Sequence, residues 1–218
     1  MPRSKVATLD QALAKCHDGM TVMLGGFTNV GSPNKFCRAL ADTGIKDLHI
    51  IANDAGNDKA DGIGTFIVEG RASSLVASHV GLNPKVAEQV NAGTLAVTLV
   101  PQGTLAERIR CGGCGLGGVL TPTGVGTIVA EGKQEIVVDG KTYLLETPLR
   151  AEVAIVKAWK ADTSGNLVYR RAGKNFNPMM AMAADFVIAE VEEIVEVGQI
   201  DPDQVCTPGA CVDMVVQL

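Results

Sequence analysis

Thr21-Val-Met-Leu-Gly-Gly-Phe-Thr-Asn-Val-Gly-Ser-Pro33 decides the fold. The apolar run Thr21 to Leu24 stops at Gly25-Gly26, and a loop then leads to Ser32-Pro33. That pair offers an N-cap and a first-turn proline ahead of Phe36, Cys37, Leu40 and Ala41, which fall at helical spacing. Strand, glycine loop and helix in this order form the unit from which parallel sheets are built. Upstream, Thr8-Leu-Asp-Gln11 has capping-box spacing and predicts a helix to about His17, ended by Asp18-Gly19. Downstream, Asp47 to Asn53, Leu75 to Val80 and Leu95 to Val100 read as further buried strands, with a short helix opening at Asn83-Pro84. Continuous apolar strands separated by helices predict an α/β chain: an open, mostly parallel sheet with helices on both faces.

The second half has another texture. Gly112 to Gly126 carries seven glycines in fifteen positions, which predicts an extended loop lying close to something else. Glu135 to Glu146 alternates apolar positions around Asp139-Gly140 and predicts a β-hairpin. Val153 to Trp159 is a further strand, Asp162 to Asn166 a turn, and Asn177-Pro178 starts a helix through Met179, Met180 and Met182, readable as core or as an adaptable interface face. Phe186 to Val191 and Cys211 to Val216 close the sheet. With neither repeat nor linker, residues 1–218 are expected to form a single domain.

Composition narrows the function. The 218 residues are 46% hydrophobic, with a net charge of −5 and mean hydropathy of +0.20. Such a chain can bury a sizeable core and has no basic stripe for nucleic acid. The apolar runs are too short to span a bilayer, and the N-terminus has no apolar signal core, so a cytoplasmic location without membrane attachment is expected. Six cysteines at irregular spacing read as reduced thiols. Cys111-Gly-Gly-Cys114 has the spacing of a zinc knuckle or redox pair but lacks two further ligands. It reads as small buried residues in a glycine-rich turn, and no metal is expected.

Several residues carry possible chemistry. The loop Gly25, Gly26, Phe27, Thr28, Asn29, Val30 and Gly31 lies where open α/β sheets bind ligands, and reads equally as an anion cradle at a helix N-terminus or as a tight structural turn. It is neither a Walker loop nor a dinucleotide fingerprint. His17, His49 and His79 are scattered, and His49 and His79, inside apolar strands, read as core histidines. Glu69 and Glu131, each before a glycine and near Arg71 or Lys133, read as solvated turns rather than nucleophiles. Gln102 follows the strand ending at Val100; its amide is either an oxyanion donor at the sheet's ligand edge or a cap for the next helix.

These pieces also occur together in a known arrangement. Asp18-Gly19-Met-Thr-Val-Met-Leu24-Gly25-Gly26-Phe27 with Gly31 and Pro33 resembles the signature of the family I coenzyme A transferases. IANDAG (51–56), PQGTLAERIRCGGCGLGG (101–118), LTPTGVGT (120–127), LLETPLRAEVAIVKAWKADTSGNLVYR (144–170) and KNFNPMMAMAAD (174–185) are similar to the alpha subunit of the acetate–acetoacetate type. The resemblance runs from Asp10 to Asp213. It implies ping-pong transfer of CoA between two short-chain carboxylic acids such as acetate, butyrate and acetoacetate, with CoA as substrate and no other cofactor. The nucleophile implied is a glutamate on a beta subunit, in an assembly of α2β2 or larger. On this chain it implies Gln102 as the oxyanion donor, with residues Gly25 to Gly31 and Asn53 lining the acyl or CoA side. The glycine-rich stretch 112–126 is then expected at the cleft between subunits, and Cys111 and Cys114 stand where many relatives have small residues. The alternative is a non-catalytic α/β module or regulatory subunit that holds an anionic metabolite.

Overall fold

A computed structural model describes residues 4–218. In chain order the elements are α1 (Leu9–Leu13), β1 (Thr21–Leu24), α2 (Asn34–Asp42), β2 (Leu48–Ala52), α3 (Ile63–Val68), β3 (Ala72–Ala77), α4 (Pro84–Asn91), β4 (Ala96–Leu99) and α5 (Gln102–Cys114). There follow β5 (Val119–Thr121), β6 (Glu135–Val138), β7 (Lys141–Glu146), β8 (Ala151–Asp162), β9 (Leu167–Val168), α6 (Asn177–Met182), β10 (Ala184–Val195) and β11 (Met214–Gln217). The main sheet runs β11-β10-β8-β1-β2-β3-β4, every neighbouring pair parallel, with β9 antiparallel on β8. A second, antiparallel sheet has the order β5-β7-β6.

Period-two alternation along the parallel strands makes two cores. Val22, Leu24, Ile50, Ala52, Val153 and Ile155 point to one face, where Phe36, Leu40, Phe66 and Val86 of α2, α3 and α4 cover them. Met23, Ile51, Ala154 and Val156 point to the other, under Leu105 and Ile109 of α5 and Met180 of α6. Helices therefore lie on both faces, as the apolar strands predict. Met180 is wholly buried while Met182 is exposed, so the methionine segment is core along one side only.

Two expectations of burial change along the main sheet. His49 projects to the same side as Ile51, in register with Ser74, and is exposed; its Nδ1 lies 2.8 Å from the Ser74 hydroxyl. His79, just beyond β3, is exposed too, so neither is a core histidine. The Leu95 to Val100 run becomes the edge strand β4, with Leu99 55% exposed instead of buried.

Other expectations move in detail. The capping box at Thr8 and Gln11 forms, but α1 stops at Leu13. Pro33 rather than Ser32 occupies the N-cap of α2, without a side-chain cap bond. The short helix α3 escapes the sequence reading because its N-cap is a glycine at positive φ, Gly62, with no capping side chain. Asp139 and Gly140 both have positive φ in the tight turn that joins β6 to β7, which bears out the hairpin.

The glycine-rich stretch is not one loop. Gly112 and Gly113 belong to the last turn of α5, and Val119–Thr121 forms β5. Close packing within the chain accounts for both helical glycines: a Cβ on Gly112 would lie 1.9 Å from the Leu149 carbonyl oxygen, and one on Gly113 2.7 Å from Met182 Cβ. Cys111 is buried as expected, but Cys114 is exposed, and both lie in the last turns of α5 instead of in a glycine-rich turn. Beyond the helix, Glu146 on β7 is buried and receives Lys133 Nζ at 2.5 Å, with Arg108 Nε of α5 3.7 Å away, which ties the small sheet to α5.

The two ends of α5 should respond oppositely to the same substitution. Gly112→Ala forces the helix off the Leu149 carbonyl and is expected to cost about 1–3 kcal/mol. Gly103→Ala meets nothing within 4 Å and is expected to be neutral or stabilising by up to about 1 kcal/mol. Urea midpoints at unchanged m-value check both.

Candidate functional site

Because β1 to β4 are parallel, their carboxyl ends share one edge, and Gly25-Gly26, Asn53-Asp54, Ser78 and Pro101-Gln102 follow directly from them. The glycine loop is built for close approach. A Cβ on Gly25 would lie 1.8 Å from Asn177 Oδ1, and Gly26 has φ +115 against Ser32. Asn177 is fully buried; its Oδ1 accepts from Lys157 N at 2.9 Å and its Nδ2 donates to the carbonyls of Gly31 and Gly173, each at 2.9 Å. At the loop tip Phe27 and Val30 exchange backbone hydrogen bonds around Thr28 (φ +44) and Asn29 (φ +60). Thr28 is β-branched and sits in the left-handed region, where such residues are rare. Phe27 and Val30 are left 41% and 49% exposed.

The amides of Gly25, Phe27, Thr28 and Val30 donate within the chain, so these four are engaged in the turn itself. The N-terminus of α2 is occupied as well. Phe36 N donates at 2.8 Å to buried Glu190, whose other oxygen receives Lys157 Nζ at 3.1 Å. An exposed cavity of about 550 Å³ lies behind the loop, between Asn29–Ser32, Lys157, Trp159 and Arg171.

Gln102 is the first residue of α5 and is exposed. No side chain caps this helix, so the capping reading of Gln102 falls away. Its Nε2 donates instead to Asn53 Oδ1 at 2.8 Å. Asn53 is 2% exposed and is held in turn: its Nδ2 donates to Asp54 Oδ2 at 2.7 Å, and the Ser78 hydroxyl donates to its carbonyl at 2.7 Å. Asp54, 3% exposed, also receives Thr28 N on Oδ2 and Gly56 N on Oδ1, each at 2.8 Å. The structure thus brings Gln102, Asn53 and the tip of the glycine loop into one network through Asp54. The sequence reading missed Asp54, although Asp54-Ala55-Gly56 is an Asx-turn pattern. It missed Asn177 as well, treating Asn177-Pro178 only as a helix start. A smaller cavity, about 280 Å³, is lined by Pro101, Gly103 and Thr104 beside Gln102 and by Val119, Leu120, Thr121 and Thr123. The middle of the glycine-rich stretch, residues 119–123, therefore shares a cavity with the first turn of α5.

The other candidates lie elsewhere. Glu69 caps the end of α3, where Arg38 and Arg71 bind it at 2.5 and 3.3 Å; the Arg38 hydrogen bond holds its carboxyl below the usual value. Glu131 is an exposed residue after a 3-10 turn. Burial raises the Cys16 thiol to about 12 and lifts Cys37 well above the ordinary range, so neither supplies a thiolate near neutrality. Among the described residues, no three His, Cys, Asp or Glu side chains group as metal ligands, and no helix is long and apolar enough to cross a membrane.

Comparison with known proteins places this geometry. The model of the coenzyme A transferase family matches residues 6–218. The chain belongs to that family. It is similar to the acetate CoA-transferase subunit alpha of Escherichia coli K12, 50% identical over 98% of this chain and 97% of that one. It is also similar to the acetoacetyl-CoA:acetate/butyrate CoA transferase alpha subunit of Clostridium acetobutylicum, 44% identical over 98% of each chain. Among solved structures, an acyl-CoA transferase from E. coli O157:H7 superimposes with a TM-score of 0.87 at 22% identity, over 99% of this chain and 47% of that one. At that identity the likeness speaks for the fold alone, and this chain spans about half the length of the solved chain.

The ion pairs at Glu69 give a pH test of its structural role. A carboxyl held low contributes stability above its ordinary value of 4.5 and loses it as pH falls through the lower folded value. Glu69→Gln should therefore cost about 0.2–1 kcal/mol at pH 7 and nothing in strong acid, as read from urea midpoints across pH.

Proposed function

We propose that this chain is the alpha subunit of a heteromeric enzyme that moves CoA between a short-chain acyl-CoA and a free short-chain carboxylate. The observation that carries the reading is Gln102: an exposed amide at the ligand edge of the sheet, anchored through one N–H to a buried network. Its second N–H is free to donate to an oxyanion without any change of charge. The two relatives, an acetate CoA-transferase subunit alpha and an acetoacetyl-CoA:acetate/butyrate CoA transferase alpha subunit, support the same substrate class. So does the cavity of about 280 Å³ beside Gln102, which falls below the roughly 300–1,000 Å³ of drug-sized sites.

The reaction needs a carboxylate nucleophile that this site does not present. Transfer proceeds when a glutamate attacks the thioester carbonyl to give a mixed anhydride and CoA thiolate. The thiolate then attacks the glutamyl carbonyl, releasing the first acid and leaving a glutamyl-CoA thioester, which the second acid reverses. Asp54 has both oxygens engaged and Glu69 is held by two arginines, so neither is placed to attack. We place the nucleophile on a beta subunit that closes over Gln102, in an α2β2 or larger cytoplasmic assembly with CoA as substrate and no further cofactor. Residues Gly25 to Gly31 then act as a stiff wall whose exposed Phe27 and Val30 face the acyl-CoA or the partner.

Co-expression with a beta-type partner, followed by an acetyl-CoA plus acetoacetate exchange assay, tests this. Gln102→Ala should lower kcat by about 10²–10³-fold, while Glu69→Gln and Glu131→Gln leave it unchanged. No exchange by a correctly assembled complex with any short-chain acid would overturn the function, and an unchanged kcat in Gln102→Ala would remove Gln102 from the chemistry.

A further inference from the structure

Gln102 can serve as a donor only if its amide faces the right way, and nothing intrinsic to an amide ensures that. Asn53 and Gln102 are two primary amides in series, each nearly symmetric in shape, and each able to turn end for end and exchange its donor with its acceptor. If Asn53 turned, its Nδ2 would face Gln102, and Gln102 would have to answer with Oε1. The donor nitrogen of Gln102 would then leave its present place beside Asn53, and an acceptor oxygen would stand there instead.

Asp54 breaks the symmetry. Its carboxylate takes donors only, and two of them, the backbone N–H groups of Thr28 and Gly56, cannot be turned round. With Asp54 fixed in this way, the group of Asn53 that faces Oδ2 at 2.7 Å must be Nδ2. Asn53 Oδ1 is then presented to Gln102, and Gln102 must answer with Nε2 at 2.8 Å. The order of hydrogen bonds is thus dictated from the buried end outward, through groups that are themselves almost inaccessible to solvent.

We infer that Asp54 is a positioning residue for Gln102: it selects the amide orientation of Asn53, and through it presents the Gln102 N–H toward the reacting carbonyl. The same oxygen holds Thr28 N, so the carboxylate also locks the tip of the glycine loop to the donor it serves. This rests on the role proposed for Gln102. A preoriented donor needs no reorganisation as charge develops, and that advantage is lost when the amide is free to turn.

Asp54→Asn keeps the shape and removes the acceptor-only character. In the assembled complex it should lower kcat by about tenfold or more, with KM for both substrates changed by less than about twofold, because misorientation costs reactivity rather than binding. The decisive readout is the double-mutant cycle with Gln102→Ala. In that background Asp54→Asn should have no further effect on kcat, since no donor remains to be misoriented. Asn53→Ala, which cuts the relay but leaves Asp54 on its two backbone donors, should behave in the same way and serves if Asp54→Asn does not assemble. A loss that adds fully to that of Gln102→Ala would mark Asp54 as merely structural and overturn the proposal. So would wild-type kcat in both relay variants where Gln102→Ala is impaired. An unimpaired Gln102→Ala would instead overturn the reading on which the proposal rests.

Discussion

Four parallel strands that end at a common edge are the constraint from which the rest of this structure follows. Parallel pairing sends β1, β2, β3 and β4 to the same rim, so residues far apart in sequence, from Gly25 to Gln102, become neighbours there. Their backbones emerge with polar groups that the strand ladder no longer satisfies, and these must find partners in a largely buried setting. Asp54 meets that need. One carboxylate accepts from the loop after β1, from its own turn and from Asn53 at the end of β2, and the chain of bonds continues to Gln102 after β4. On the proposed reading stability and function share this feature, because the groups that satisfy the rim also orient the exposed amide of Gln102.

The glycines serve the same architecture from the inside. Gly25 lets Asn177 reach across to the loop, and Gly112 and Gly113 let α5 settle against Leu149 and Met182. Four of the loop amides, those of Gly25, Phe27, Thr28 and Val30, bond to the chain itself, and Glu190 fills the position at the α2 N-terminus that an anionic ligand would take. What remains exposed on the loop is an apolar tip, Phe27 and Val30.

Much of the fold is legible in the residues because alternation and loop chemistry agree locally. The apolar runs at Thr21 to Leu24 and Asp47 to Asn53, the Asp139-Gly140 turn and the Asn177-Pro178 helix start all correspond to real elements. Their neighbours in space are another matter. His49 and the Leu95 to Val100 run look like core until the open face around His49 and the edge position of β4 are known. The mix of helix and strand between Gly112 and Gly126 depends on contacts of α5 to Leu149 and Met182 and on the pairing of β5 with β7, which no local pattern encodes. At the site, Gln102 stands out by its place after a strand. The role of Asp54 becomes visible only when β1, β2 and β4 are brought together.

The central claim is that this chain supplies the oriented donor and a partner supplies the nucleophile. The most direct measurement is to treat the assembled complex, and this chain alone, with acyl-CoA, reduce with borohydride, and locate the reduced glutamyl residue by peptide mass spectrometry. The account predicts a single modified glutamate on the partner subunit and none on this chain in either sample. A modified Glu69, Glu131 or any other carboxylate of this chain would contradict it.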